Sequence, residues 1–185
     1  MDAPKVARRQ RTFLAPIWLA MIAVIALGVA SLALYSRATT TTIVLVRHAE
    51  KQLGTIEDPP LTQEGDERAQ HLARLFGESA TVGKVQAIYA TATRRAQATA
   101  APLAARLGLT VVTANEAPAA LARRVRRENH GGVALIVGHS NTIPAIAAAL
   151  SARPDMPSMP EEDFGTIYIV SVPDLGRASI LRLAY

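Results

Sequence analysis

The chain has no cysteine among its 185 residues. That absence excludes a disulfide framework, a thiolate zinc site and a cysteine nucleophile. It does not set a redox compartment, because a domain of this size folds without covalent staples. Aromatic residues are scarce, at 4%, so there is no stacking platform for single-stranded nucleic acid. Charged residues are only 19% and apolar residues 50%. That balance excludes a disordered chain, which lacks enough apolar surface to offset its ordering entropy. The length allows one domain with an appendage.

The charge that is present is unevenly placed. The formal net charge is +5. Up to residue 38 the basic side chains are Lys5, Arg8, Arg9, Arg11 and Arg37, against Asp2 alone. Removing those six from totals of 20 basic and 15 acidic residues leaves the rest of the chain one charge from neutral. The folded part therefore lacks the broad basic field that phosphate-backbone binding requires, and no nucleic-acid partner is expected.

Residues 13–35 contain no charged side chain. As a helix rising 1.5 Å per residue they would extend about 35 Å, enough for a hydrocarbon core of roughly 30 Å. Trp18 and Tyr35 stand near the ends, where amphipathic rings favour the membrane interface. The basic arm, residues 1–12, predicts a cytoplasmic N-terminus and an extracytoplasmic body, periplasmic in a Gram-negative cell. The competing reading is a signal peptide cleaved near Ser31-Leu32-Ala33, which would release the body as a secreted protein. An apolar run longer than the usual 7–15 residues favours an uncleaved signal-anchor. Residues 36–41 read as a linker.

Beyond the linker, strand-like and helix-like segments alternate. Residues 42–47, TIVLVR, form a β-branched run without alternation, the pattern of a strand covered on both faces. Thr62 can cap a helix whose buried face is Gly65, Ala69, Leu72, Ala73 and Phe76. Further strands are expected at 85–89, 109–113, 133–137, 167–172 and 179–183. Further helices are expected at 95–107, 118–128 and 142–150, and Pro102 should bend or split the first of these. Residues 151–164, with three prolines, read as an irregular loop. The pattern predicts a three-layer α/β/α sandwich over residues 42–185, its central sheet mostly parallel, with an antiparallel closing pair and one transmembrane helix before it.

Ligands in open α/β sheets bind beyond the carboxyl ends of the strands. Arg47-His48, the segment Thr91 to Arg95, and Gly138-His139-Ser140 all fall at such ends. They would bring two histidines and two or three arginines to one rim. The guanidinium fork matches phosphate oxygens, and imidazole titrates near neutrality.

These segments resemble the histidine phosphatase superfamily, also called phosphoglycerate mutase-like. Arg47-His48-Ala49-Glu50 resembles its R-H-x-E signature, and Leu61-Thr62-Gln63-Glu64-Gly65 its L-T-x-x-G segment. Thr91-Ala92-Thr93-Arg94-Arg95-Ala96-Gln97-Ala98-Thr99-Ala100 resembles its S-x-x-x-R-A-x-x-T-A segment. Val137-Gly138-His139-Ser140-Asn141 resembles its second-histidine segment. Each motif is weak alone, but the four occur in order over residues 42–185, and the likeness is to the small phosphohistidine-phosphatase-like branch.

The resemblance implies that His48 attacks phosphorus to form a phosphohistidine, which water then hydrolyses. It implies that Arg47, Arg95 and His139 bind the phosphoryl group and stabilise transition-state charge, with Thr91 and Ser140 also in the binding set. It implies no metal and no organic cofactor. Arg95 rather than Arg94 matches the family arginine. Glu116 falls where larger members carry a proton donor, with Glu161, Glu162 and Asp163 as other candidates. Glu50 would orient the pocket, and Lys51 would lie near its entrance. His71 and His130 need no catalytic role.

The expected activity is that of a membrane-anchored, metal-independent phosphatase. Its substrate would be a phosphorylated small molecule or a phosphohistidine. A phosphoglycerate-type mutase and a non-enzymatic phosphoryl-binding module are the alternatives. Arg123, Arg124, Arg126 and Arg127 read as a solvated helix face, or as a contact for acidic headgroups if that helix meets a membrane.

Overall fold

The structure, a computed structural model, describes residues 17–54, 57–77, 83–153 and 156–185. The expected basic arm and the first residues of the 13–35 span lie outside the described residues. The chain divides into two units, residues 1–35 and 36–185.

Helix α1 is Ile17–Thr39. It is apolar on all sides, and none of its most apolar stretch is buried. By length and composition it can cross a membrane. It runs through most of the expected linker, and only residue 40 separates it from β1. No glycine or proline stops it earlier, and the Thr40 hydroxyl donates to the Ser36 carbonyl at 2.5 Å, satisfying an end carbonyl of the last turn.

The second unit is built on six strands. They are β1 (Thr41–Arg47), β2 (Val85–Ala90), β3 (Val111–Thr113), β4 (Val133–Gly138), β5 (Thr166–Val172) and β6 (Ser179–Ala184). Their spatial order is β3-β2-β4-β1-β5-β6. β3, β2, β4 and β1 run parallel, with Val44 opposite Leu135 in the β1–β4 pair. β5 pairs antiparallel with β1, and β6 with β5. The remaining helices are α2 (Gln63–Gly77), α3 (Arg94–Leu107), α4 (Pro118–Glu128) and α5 (Thr142–Ser151).

Alternate residues of the central strand feed two separate cores. Val44 and Val46 pack with Leu72 and Phe76 of α2 and Leu103 of α3. Ile43 and Leu45 pack with Leu121 and Val125 of α4 and with Ile143 and Ile146 of α5. This is the expected three-layer arrangement, and each fully buried aliphatic of β1 contributes roughly 1.5–3 kcal/mol. The buried face of α2 is the expected set, and its first turn is capped by the Thr62 hydroxyl, which accepts from the Gly65 amide at 3.0 Å.

Two local expectations are corrected. Pro102 does not split α3, which runs unbroken through it, because the buried neighbours Ala100, Leu103 and Ala104 hold both halves against the sheet. β3 begins at Val111 instead of residue 109. The Leu109 amide is taken by the Ala104 carbonyl, which closes the end of α3.

Candidate active site

The parallel strands end together on one rim. The His48 amide donates to the Gly138 carbonyl at 2.9 Å, and the Thr91 amide to the Val137 carbonyl at 3.3 Å. These bonds extend the β1–β4–β2 ladder by one residue and bring His48, Thr91 and His139 side by side. Gly138 is required there by close approach. A Cβ at this position would lie 2.7 Å from Thr142 Oγ1 and 2.9 Å from Ile143 Cδ1. The first turn of α5 thus seats directly on the end of β4, and the Thr142 hydroxyl accepts from the His139 amide at 2.8 Å.

A cavity of about 470 Å³ opens on this rim, lined by Arg47, His48, Lys51, Arg95, His139, Ser140, Asn141 and Glu161. His48 is buried, and its Nδ1 lies 2.8 Å from the Ala49 carbonyl oxygen. A carbonyl can only accept, so Nδ1 carries the proton and Nε2 keeps its lone pair. The His48 pKa is pushed down to about 4, first by burial and then by the positive charge of Arg95, with His139 and Arg47 adding to it; the Ala49 bond opposes the shift. The ring is therefore neutral at pH 7, the form a nitrogen nucleophile needs. His139 stands edge-on, with ring centroids 5.2 Å apart. Its pKa is also lowered, by burial and by Arg95 and Arg47. Its Nε2 is 2.9 Å from the Thr91 hydroxyl, which fixes the ring.

The two arginines are held differently. Arg95 Nη1 donates to Asp58 Oδ1 at 3.3 Å, while the Asp58 Oδ2 accepts from the Arg94 amide at 2.9 Å. Arg94 itself is exposed. Arg47 is buried and largely committed to the protein. Its Nη1 donates to the carbonyls of Pro160 at 2.9 Å and Glu161 at 2.7 Å, and its Nη2 to the Glu161 carboxylate at 3.2 Å. Its guanidinium also lies 4.2 Å from the Phe164 ring centroid. Arg47 thus ties residues 160–164 to the end of β1. The Nε atoms of Arg47 and Arg95 are buried, with no acceptor among the described residues.

The carboxylates sort clearly. Glu116 does not line this cavity. Arg124 holds its carboxylate at 2.5 Å. Its pKa is lowered, first by a backbone hydrogen bond and then by Arg124, which opposes an acid's role. Glu161 does line the cavity, where it accepts from Ser140 Oγ at 3.2 Å as well as from Arg47. Glu50 faces away and grips Arg68 through Nε at 2.7 Å and Nη2 at 2.6 Å, locking α2 against the loop after His48. Lys51 lines the cavity. His71 is exposed, and His130 pairs with Asp174 at 2.8 Å.

Of two further contributors, Asp58 carried no local signal in the sequence, whereas Thr99 stood in the third motif without an assigned role. Asp58 is an ordinary loop carboxylate before Pro59-Pro60, and only the fold brings it to Arg95. Thr99 is buried in α3; its hydroxyl accepts from the Ala49 amide at 3.0 Å and donates to the Arg95 carbonyl at 2.7 Å. It therefore pins the backbone beside the nucleophile candidate to the helix carrying Arg95. Among the described residues no group of three His, Asp or Glu side chains is placed to hold a metal ion.

Residues 43–118 match the family model of the histidine phosphatase superfamily (branch 1). That segment includes Arg47, His48, Thr91, Arg95 and Glu116, and ends before His139. The protein histidine phosphatase SixA, solved with tungstate, superposes with a TM-score of 0.62 at 17% identity, covering 77% of this chain and 96% of that one. Bacillus stearothermophilus YhfR gives 0.59 at 19% identity, covering 74% and 94%. A mycobacterial glucosyl-3-phosphoglycerate phosphatase gives 0.55 at 18% identity, covering 71% and 90%. At these identities the likeness is one of fold. No curated protein matches the chain in sequence.

Proposed function

We propose that this chain, whose residues 43–118 match the histidine phosphatase superfamily model, is a membrane-anchored phosphatase working through a phosphohistidine on His48. The observation that carries this reading is the His48 tautomer. With Nδ1–H given to the Ala49 carbonyl, the free Nε2 lone pair belongs to a cavity shared with Arg95 and His139.

The reaction has two displacements. In the first, His48 Nε2 forms a bond to phosphorus, and the bond from phosphorus to the leaving group breaks with its electron pair on that group. In the second, water attacks phosphorus, the N–P bond breaks and its pair returns to Nε2. Inorganic phosphate leaves, and the water's second proton passes to solvent. Arg95, Arg47 and His139 bind the phosphoryl oxygens while charge redistributes over them. Thr91 acts by holding His139, and Ser140 by holding Glu161.

Neither carboxylate is set up as a strong proton donor. Glu116 is paired with Arg124, and Glu161 is paired with Arg47. This favours substrates whose leaving group departs with little protonation, such as phosphohistidine or an aryl phosphate, over alkyl phosphates. The α1 helix serves as a single-pass anchor, with the basic arm in the cytoplasm and residues 36–185 outside it.

Acid-stable and acid-labile phosphate on the protein, measured after rapid mixing with an aryl phosphate, tests the reading. The expected product is acid-labile phosphate on His48, absent from His48→Ala. Phosphate transfer between two hydroxyls without release to water would replace it with a mutase. Phosphate binding without turnover would replace it with a binding module.

A further inference from the structure

A second cavity, of about 580 Å³, lies at the opposite end of the sheet, wholly within residues 36–185. Val172, the last residue of β5, pairs with Thr41, the first of β1. Val133, the first of β4, pairs with Thr42. The β5–β6 turn and the end of α4 therefore gather where β1 begins. His48 is seven residues further along the chain, roughly 20 Å away at the usual rise per strand residue.

Three arginines line this cavity: Arg126 from the last turn of α4, Arg153 just after α5, and Arg177 in the β5–β6 turn. One carboxylate, Asp174, is shared between Arg126 at 3.9 Å and His130 at 2.8 Å. Arg153 and Arg177 are exposed and have no carboxylate partner among the described residues. At the tip of the same turn Leu175 is 58% exposed. Arginines gathered at a cavity bind phosphate oxygens by their donor forks. An exposed leucine beside them has no role in binding a free anion, but it suits the acyl boundary below a headgroup layer.

We propose that this end of the domain docks on an acidic phospholipid surface, with a headgroup phosphate among Arg126, Arg153 and Arg177 and Leu175 at the acyl boundary. The proposal rests on the anchor reading above, because the apolar segment joins the domain at this end, through residue 40. Docked this way, the candidate active site opens away from the bilayer. Its substrates then arrive from the aqueous phase and are not lipids of the same membrane.

The test uses the full chain in nanodiscs of phosphatidylcholine, with or without phosphatidylglycerol. Elution with the phosphatidylcholine discs reports the anchor. Amide exchange at residues 150–153 and 174–178 reports the face. The expected result is slower exchange in discs containing phosphatidylglycerol, reversed by high salt. The paired change Arg153→Gln with Arg177→Gln should weaken this contact roughly 25-fold, at about fivefold per arginine near an anionic surface. Turnover of a soluble aryl phosphate should not change, which checks that the variant is folded. Equal exchange in both discs overturns the proposal while leaving the anchor intact. Protection that survives the paired change also overturns it. So does the same protection from inorganic phosphate in phosphatidylcholine discs, which would mark a free-anion site. If the chain enters no phosphatidylcholine disc but is protected by phosphatidylglycerol vesicles, the anchor reading fails and the face stands.

Discussion

The two ends of β1 carry positive charge in opposite ways. At its carboxyl end Arg47 is 2% exposed and ringed by carbonyls, a carboxylate and an aromatic face. Its neighbour His48 is held neutral first by burial and then by Arg95, with Arg47 a smaller contributor. At the other end Arg153 and Arg177 are exposed. Buried charge perturbs its neighbours and makes chemistry, because water no longer screens it. Exposed charge keeps its hydration, so its strength is gathering an extended anionic surface.

The buried end of β1 depends most on His48. His48→Ala should lower aryl phosphate turnover on the order of 10⁴-fold or more, as loss of a nucleophile does. His71→Ala, on the exposed face of α2, should leave turnover unchanged. Near-normal turnover by the His48 variant would remove the chemical end of the contrast.

Arg95→Ala should lower kcat/KM by about 10²–10³-fold, the range for losing one transition-state charge donor. The paired change at Arg153 and Arg177 should leave the same constant untouched. Equal effects at both ends would show that burial does not distinguish them.

The pH dependence sharpens the contrast further. Because the His48 pKa falls from 6.5 to about 4 on folding, the acid limb of kcat/KM set by this residue should lie near pH 4. Between those two pH values the unfolded chain binds more protons than the native one. The contribution of His48 to stability is therefore full above 6.5 and declines as pH falls through about 4. Denaturant midpoints for the wild type and for His48→Gln, measured across this range, check the sign. A wild-type midpoint that rises relative to that of the variant toward acid would contradict it.

The smallest effect is expected at Glu116. With its carboxylate paired to Arg124 outside the cavity, Glu116→Gln should change turnover by less than about twofold, as for a surface substitution away from the chemistry. A large loss, together with a lost basic limb of the pH profile, would restore it as the proton donor.

Much of the fold was legible because local pattern and tertiary need agreed. The β-branched run at 42–47 did become a strand covered on both faces, and the buried face of α2 was readable from its spacing. A split at Pro102 does not occur because helix propensity is a local cost, which packing of Ala100 and Leu103 outweighs. Leu109 misled because its amide is claimed by the end of the preceding helix. For the site, Arg95 was separable from Arg94 by motif position, and the structure lines the cavity with Arg95 and leaves Arg94 exposed. Asp58 was not legible, because nothing around a loop aspartate names an arginine 37 residues away as its partner.

Residue type and spacing along the chain were enough for the alternation of strands and helices, the uncharged span of residues 13–35, and the order of four short motifs that put His48, Arg95 and His139 on one rim. The tertiary structure decided which imidazole nitrogen of His48 is free, since that depends on the position of the Ala49 carbonyl. It decided that Arg47 is spent on carbonyls 113 and 114 residues away, and that Glu161, not Glu116, reaches the cavity. It also decided that Arg126, Arg153 and Arg177, drawn from three separate elements, share one cavity. Hydrogen-bond direction and burial are properties of neighbours in space, and only the folded chain assigns those neighbours.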